Sequence, residues 1–88
     1  MVWRIELTDT AERALKKLDP NSRQRIVGFL KERVAESANP RAQGKALQGE
    51  LHSYWRYRVG PYRLICRIED EAIRILVVRV GHRRDIYR

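Results

Sequence analysis

The chain has 88 residues and one cysteine, so we expect a single domain (1–88) with a small core, and an internal disulfide is excluded. Lys and Arg outnumber Asp and Glu by 19 to 11, and the net charge of +8 indicates an anionic partner such as nucleic acid, the ribosome, a membrane surface or an acidic protein. The sequence has no CxxC motif, no His/Cys cluster, no signal-peptide pattern and no run of roughly 18 apolar residues, so we expect a cytoplasmic protein without metal, cofactor or membrane span.

Residues 2–7 alternate between apolar and polar side chains, with Trp3, Ile5 and Leu7 on one face, which predicts a half-buried strand. Asp9 follows as a candidate N-cap, with Glu12 three residues later. The helix that begins here carries one apolar stripe, formed by Ala11, Ala14, Leu15 and Leu18.

Asp19 and Pro20 end this helix and begin a second one, with Asp19 as the N-cap and Pro20 at the first helical position. Apolar side chains recur at helical spacing along it, at Ile26, Val27, Leu30 and Val34, with Phe29 beside them. Residues 37–49 contain an Asn-Pro step and two glycines, which indicates a loop.

The C-terminal half is rich in aromatic and β-branched residues and predicts three strands, at residues 54–59, 62–69 and 72–80. Their connections are short enough for hairpins, so we expect an antiparallel meander. Together with the first strand it makes a mainly antiparallel sheet of about four strands. Both helices pack on one face of this sheet, which gives an α+β fold. The strand context of Cys66 predicts a buried thiol.

Basic residues gather in two places in this half of the chain. Alternation predicts that four arginines share the face opposite the core: Arg56, Arg58, Arg63 and Arg67. Like charges on neighbouring strands repel each other, so the pattern favours a polyanionic partner. Residues 80–88 add a second basic segment, in which His82 and Tyr87 stand among arginines and suggest chemistry as well as binding.

Three segments carry a resemblance to a known family: KALQG (45–49), WRYRVGPYRLICRI (55–68) and VVRVGHRRDIY (77–87). They resemble the RelE/ParE toxin superfamily, most closely its RelE-type mRNA endonucleases, and the order of strand, two helices, three strands and basic tail agrees. The resemblance implies ribosome-dependent, metal-independent cleavage of mRNA in the A site, and so inhibition of translation. It also implies a RelB-like antitoxin partner and is compatible with a higher-order toxin–antitoxin complex.

The resemblance implies a catalytic set of four residues: Arg56, Arg63, Arg83 and Tyr87. Arg63 matches the arginine that contacts the reacting phosphate, and Arg83 matches one that acts on the transition state or leaving group. Tyr87 matches a tyrosine proposed to activate the 2′-hydroxyl, and Arg56 stands where members carry a catalytic lysine. Further contacts to RNA or ribosome are expected from Lys45, Arg41, Arg58, His82 and Arg84.

Two positions depart from the family pattern. Tyr54 occupies the place of a second catalytic lysine, whose role would pass to Arg58 or Lys45. His82 occupies a place where some relatives have lysine. Because arginine is a poor proton donor, His82 is a candidate for protonating the leaving oxygen, and a surface or supporting role is the alternative.

Three other functions are open at this stage. A ParE-type inhibitor of DNA gyrase shares the fold but lacks the catalytic set. A free-standing ribonuclease would use His52 and His82 as an acid–base pair. A non-catalytic RNA-binding module would stack bases on aromatic side chains, although alternation puts the candidates on the apolar face of their strands: Trp55, Tyr57 and Tyr62.

Overall fold

The computed structural model describes residues 2–47 and 54–84. In chain order its strands and helices are β1 (Arg4–Leu7), α1 (Asp9–Lys16), α2 (Pro20–Phe29), β2 (Lys45–Ala46), β3 (Trp55–Val59), β4 (Tyr62–Glu69) and β5 (Arg74–His82). A π-helical segment, Leu30–Val34, continues α2, and a 3-10 turn, Pro40–Gln43, precedes β2. Across the described ranges, no helix is both long and apolar enough to cross a membrane.

The strands form one mixed sheet in the order β1-β5-β4-β3-β2. β1 runs parallel to β5, and every other neighbouring pair is antiparallel. The α+β fold and the β3-β4-β5 meander are confirmed, but the strand count is corrected from about four to five. The additional strand is β2, whose two residues are too few to show any periodicity in the sequence.

The strand bounds follow the predicted alternation closely. β4 has the predicted bounds, whereas β1 begins two residues later than expected. β5 begins at Arg74 and continues to His82, so it starts and ends later than expected. The later start reflects the preceding turn, in which Ile73 adopts a positive φ of 49°.

A bulge in β5 lets both halves of that strand face the core. Ile65 of β4 pairs with Arg79, but the next residue, Cys66, pairs with Val77, so Val78 is the extra residue on β5. Without the bulge, the side chains of Val77 and Val80 would point to opposite faces of the sheet. With it, both are buried.

The helix caps agree with the sequence at one helix and differ at the other. Asp19 caps α2 by accepting a hydrogen bond from the Ser22 amide at 3.1 Å, as predicted, and hydrogen bonding from Ser22 lowers the pKa of this carboxyl. The expected cap of α1 was wrong, because Thr8 and not Asp9 accepts from the Ala11 amide, at 3.2 Å. Asp9 instead lies in the first turn, where its charge complements the helix dipole.

The core lies between the helices and one face of the sheet. The predicted apolar stripes of both helices are buried or half-buried, and Cys66 is buried as expected. Tyr57 is fully buried, and its hydroxyl donates to the Pro40 carbonyl at 2.7 Å. This bond anchors the segment that leads into β2.

Candidate active site

The face of the sheet opposite the helices carries the predicted arginines in register. Arg58 lies directly opposite Arg63, and Arg63 lies opposite Gly81 on β5. Arg56 lies opposite Ile65, so it is the diagonal neighbour of Arg63, roughly 7–8 Å away by ordinary antiparallel geometry. We refer to Arg56, Arg58 and Arg63 as the arginine cluster.

The arginine cluster is partly withdrawn from solvent. Arg63 is only 8% exposed, and its Nη1 donates to the Tyr62 carbonyl at 3.3 Å. Arg56 is half-buried, and its Nε has no hydrogen-bond partner within the described part of the chain. Ile65, between them on the same face, is 2% exposed, which agrees with arginine stems covering apolar surface. The Arg63 guanidinium is therefore oriented before any ligand arrives, whereas Arg58 is exposed.

The segments that carry the cluster are rich in arginine, and the one acidic residue of β3 and β4 is Glu69, at the far end of β4. Residues 54–68 and 72–84 contain eight arginines and no Asp or Glu. The other end of the same face is different: the Arg74 side chain contacts Glu69 and also approaches Glu6, at 3.7 Å. Glu69 and Glu6 thus pair with Arg74 at one end of this face, whereas the end that contains the cluster is rich in arginine.

Arg83 is fixed at the edge of the cluster by its backbone. Its amide donates to the Pro61 carbonyl at 2.8 Å, in the turn that joins β3 to β4. Gly60 occupies the left-handed region in that turn, with φ of +59°, a conformation that glycine adopts without strain. The structure thus brings Arg83 next to the start of β4, where Arg63 lies.

Lys45 joins the same face from β2. It pairs with Arg56, so its side chain leaves the sheet on the side of the arginine cluster. Gly44 makes this approach feasible, since a Cβ there would lie 2.2 Å from the Arg56 carbonyl oxygen. The sequence did not predict β2, but it did include Lys45 among the candidate contacts.

His82 lies on the other face of the sheet from Arg63. It pairs with Tyr62 at the end of β5, and the two rings meet edge to face with centroids 5.9 Å apart. Its Nδ1 accepts a hydrogen bond from the Arg84 amide at 3.2 Å, so in this arrangement Nδ1 carries no proton. Both observations set His82 apart from the arginine cluster.

Arg41 also lies apart from the cluster. It forms a bidentate ion pair with Asp70, with both N–O distances 2.9 Å, beyond the far end of β4 from Arg63. Hydrogen bonding to Arg41 lowers the pKa of the Asp70 carboxyl, and the same bonds raise the pKa of Arg41. The structure therefore places Arg41 in a pairing role, and its predicted RNA contact stays a prediction.

The remaining candidates divide by position. Arg84 is exposed next to Arg83. Tyr87 and His52 lie outside the described residues. Sequence reasoning did not group Arg79 with the site. In the structure Arg79 pairs with Ile65, which on its other side pairs with Arg56. Only the bulge at Val78 puts Arg79 on this face, and nothing in the strand pattern signals it.

Chemically, the cluster suits a phosphodiester. Guanidinium groups offer fixed forks of N–H donors that match phosphate oxygens and strengthen as negative charge develops. An arginine remains charged at neutral pH, so the cluster can bind and stabilise but is a poor source of protons. Proton transfer would need another group.

Comparison with known proteins identifies consistent relatives. A family model described as the ParE toxin of the type II toxin–antitoxin system parDE matches residues 5–87. The toxin RelG of Mycobacterium tuberculosis is 40% identical over 88 residues, covering 100% of this chain and 99% of that protein. The crystal structure of the RelBE2 toxin–antitoxin complex from the same organism matches with a TM-score of 0.87 and 35% identity, over 97% of this chain and 95% of that chain. The archaeal RelE-RelB complex from Pyrococcus horikoshii, at 22% identity, shares the fold with a TM-score of 0.74, over 94% of this chain and 97% of that chain.

Proposed function

The chain belongs to the RelE/ParE superfamily of type II toxin–antitoxin toxins, and from that premise we propose that it is a ribosome-dependent endonuclease that cleaves mRNA in the A site and so inhibits translation. The observation that carries the proposal is the arginine cluster. Arg63 is 8% exposed and lies opposite Arg58 and Gly81, on the face that also carries Arg56. Guanidinium groups placed together on one face of a sheet match the oxygens of a phosphodiester.

Cleavage without a metal has three requirements. The 2′-hydroxyl must lose a proton, the pentacoordinate transition state must be stabilised, and the 5′-oxygen must gain a proton as it leaves. Arg63 and Arg56 serve the second requirement with charge-assisted hydrogen bonds to phosphate oxygens, and Arg83 adds to them from the adjoining turn. One well-placed donor of this kind is worth about 3 kcal/mol in the transition state.

The chain's own residues are less suited to proton transfer than to stabilising the transition state. Tyr87 is the proposed base toward the 2′-hydroxyl, and neighbouring guanidinium groups would favour its ionised form. His82 is less suited to act as the acid than its position in the sequence suggests, because it lies on the opposite face from Arg63. A nuclease with a strong electrostatic site and weak acid–base groups should be slow on free RNA. The ribosome would order the message and supply groups that the toxin lacks.

A RelB-like antitoxin is the expected protein partner. The two toxin complexes named above each pair a RelE-type chain with a RelB-type chain. An acidic or amphipathic segment of such a partner would block the arginine cluster by charge and by volume. The proposed activity would place this protein in the cytoplasm, where translating ribosomes are found.

A gyrase inhibitor is the second candidate, because the matching family model is described as a ParE toxin. The two functions make different demands on the arginine cluster. Cleavage requires Arg63 and Arg83 to act on a phosphate, whereas binding to gyrase has no need for the same two guanidinium groups.

The test compares three proteins in a translating extract, with mRNA ends mapped by primer extension. They are the wild type, Arg63→Ala/Arg83→Ala, and the charge-matched control Arg4→Ala/Arg13→Ala, whose residues are exposed and lie outside the cluster. We expect the wild type and the control to cut translated message within codons, and the first variant to leave it intact. Equal cutting of naked and translated RNA would contradict ribosome dependence. Gyrase inhibition that survives in Arg63→Ala/Arg83→Ala, without any cutting by the wild type, would favour the second candidate.

A further inference from the structure

A cationic groove borders the arginine cluster, and the proposed cleavage reaction assigns no role to it. It lies between α2 with its π-helical continuation and the end of β3, and its volume is about 480 Å³. Three of its lining residues are arginines, Arg25, Arg33 and Arg58, and one is acidic, Glu32. We refer to it as the α2 groove.

The charges of the α2 groove are uncompensated. Within residues 2–47 and 54–84, none of its three arginines takes part in an ion pair. Because three arginines and one glutamate line the groove, its lining residues carry a net charge of two positive units. An excess of like charge inside a concave surface concentrates the local potential and attracts anions.

The groove and the arginine cluster share one residue, Arg58, at the end of β3. Arg58 lines it and also lies directly opposite Arg63 in the β3–β4 hairpin. Arg25 reaches from α2 to the turn, where a Cβ on Gly60 would lie 2.8 Å from Arg25 Nη1. A chain of phosphates bound at Arg63 could therefore pass Arg58 and enter the groove without leaving positively charged surface.

Gly28 leaves the α2 backbone open toward the groove. It lies within the helix and lines the groove, and a Cβ at this position would meet nothing within 4 Å. Glycine weakens a helix relative to alanine, and here no packing within the described structure requires it. A bare backbone at this point instead leaves room for a ligand to come close to the helix.

We propose that the α2 groove binds the RNA backbone to one side of the scissile phosphate, with Arg25 and Arg33 contacting phosphates. This inference rests on the proposed function and extends it, because it adds a phosphate subsite outside the catalytic set. RNA is favoured over an acidic peptide because the groove shares Arg58 with the cluster that would hold the reacting phosphate. The subsite gives register along the message and contributes no group to the chemical step.

The first experiment measures binding of a fluorescent oligouridylate by anisotropy over a range of salt concentrations. It compares the wild type, Arg25→Ala/Arg33→Ala, and the charge-matched control Arg13→Ala/Lys17→Ala, whose exposed residues lie on and just after α1. Loss of two phosphate contacts should flatten the slope of log affinity against log salt by about 1.4 in the groove variant. The control should keep the wild-type slope. Equal slopes in both variants, or a wild type that does not bind the RNA, would overturn the proposal.

A second pair of variants changes the groove without removing any arginine. Gly28→Glu puts a carboxylate into the groove and should weaken binding of the oligouridylate about tenfold at low salt. Gly28→Ala should leave the affinity nearly unchanged and raise the midpoint of thermal unfolding, since alanine favours the helix. If both variants bind RNA like the wild type, or lose affinity only for an acidic antitoxin, the groove is not an RNA subsite.

The two proposals can fail separately. If the wild type does not cut translated mRNA but the groove variant still shows the flatter salt dependence, the endonuclease proposal fails and the groove stands only as an RNA-binding site. If the wild type cuts and the groove variant matches its control in both binding and cutting, only the subsite is wrong.

Discussion

Arg58 and Arg63 face each other directly across the β3–β4 hairpin, and both side chains leave the sheet on the same face. Like charges in directly opposed positions weaken a strand pair. The one carboxylate of these two strands, Glu69, lies at the far end of β4, where it contacts Arg74. We therefore expect the pair to lower the stability of the free protein and to favour a polyanionic partner.

Replacing Arg58 should make the protein more stable. In Arg58→Thr the repulsion is gone and a β-branched residue is gained, so we expect the free energy of unfolding to rise by about 0.2–1 kcal/mol in low-salt buffer. The gain should shrink at high salt, where the wild-type repulsion is screened. Urea denaturation at two ionic strengths measures both effects. Arg67→Thr is the control, because Arg67 lies opposite Leu76 and is exposed, and an equal gain there would refute the explanation.

Arg63 should matter for the reaction through its geometry as well as its charge. We expect Arg63→Ala to lower the cleavage rate on ribosomes about 100- to 1000-fold, the usual loss for one transition-state donor. Arg63→Lys keeps the charge but removes the planar fork, so it should recover only part of this loss. Single-turnover cleavage of ribosome-bound message measures the rates. Full activity in the lysine variant would mean that charge alone is sufficient.

The hydroxyl of Tyr57 should contribute to stability and to the position of β2. Burial raises the pKa of this phenol, which keeps it protonated as the donor to Pro40. Tyr57→Phe leaves a buried carbonyl without its donor and should cost about 1–3 kcal/mol. Denaturant unfolding measures the loss, and amide exchange should become faster in the segment around Pro40. A variant as stable as the wild type, with unchanged exchange, would show that the bond is dispensable.

The ion pair between Arg41 and Asp70 should make stability depend on pH in acid. Because the folded pKa of Asp70 is lowered, its contribution is fully present above the unfolded pKa of about 3.9 and is lost as the pH falls through the folded value. Wild type should therefore be more stable than Asp70→Asn at neutral pH, and the difference should vanish in strong acid. Thermal unfolding across this range measures it.

The control for that experiment is substitution of Arg41, the residue that pairs with Asp70. Arg41→Gln should remove the same acid-dependent contribution, and the double variant should lose little more than either single one. Two additive losses would mean that the residues act independently, despite the short N–O distances.

Ile73 is a site where a substitution should stabilise the fold. It adopts a positive φ of 49° in the turn between β4 and β5, where a β-branched residue is strained by roughly 1 kcal/mol. Ile73→Asn should relieve most of this strain, because asparagine tolerates the left-handed region. The free energy of unfolding in urea checks the gain. Ala72→Asn is the matched control in the same turn and should bring no such gain.

Local periodicity explains why much of the fold could be predicted. The alternation in residues 62–69 is interrupted only at Ile65, so β4 was predicted with its observed bounds. Asp19 followed by Pro20 is an equally local signal, and the cap was confirmed. Thr8 was missed because Thr8 and Asp9 can both cap a helix, and the structure favours Thr8, whose hydroxyl also donates to the Val78 carbonyl at 3.2 Å.

The features that were missed depend on contacts between distant segments. β2 forms only because Gly44 lets the chain approach Arg56 closely. Arg41 and Asp70 are 29 positions apart, so their pairing leaves no trace in either local pattern. His82 was identified as a candidate, but its face of the sheet was not, because β5 continues two residues further than predicted and alternation then turns His82 away from Arg63.

The rate at which Cys66 is chemically labelled can report transient opening of the core. It is the chain's single cysteine, it is buried beneath the sheet, and burial raises the pKa of its thiol, so the reactive thiolate is scarce in the closed state. A thiol-specific reagent can therefore modify it only when the core around β4 opens, and the labelling rate measures how often it does. Any partner that holds β4 in place should slow the labelling, whichever face it occupies.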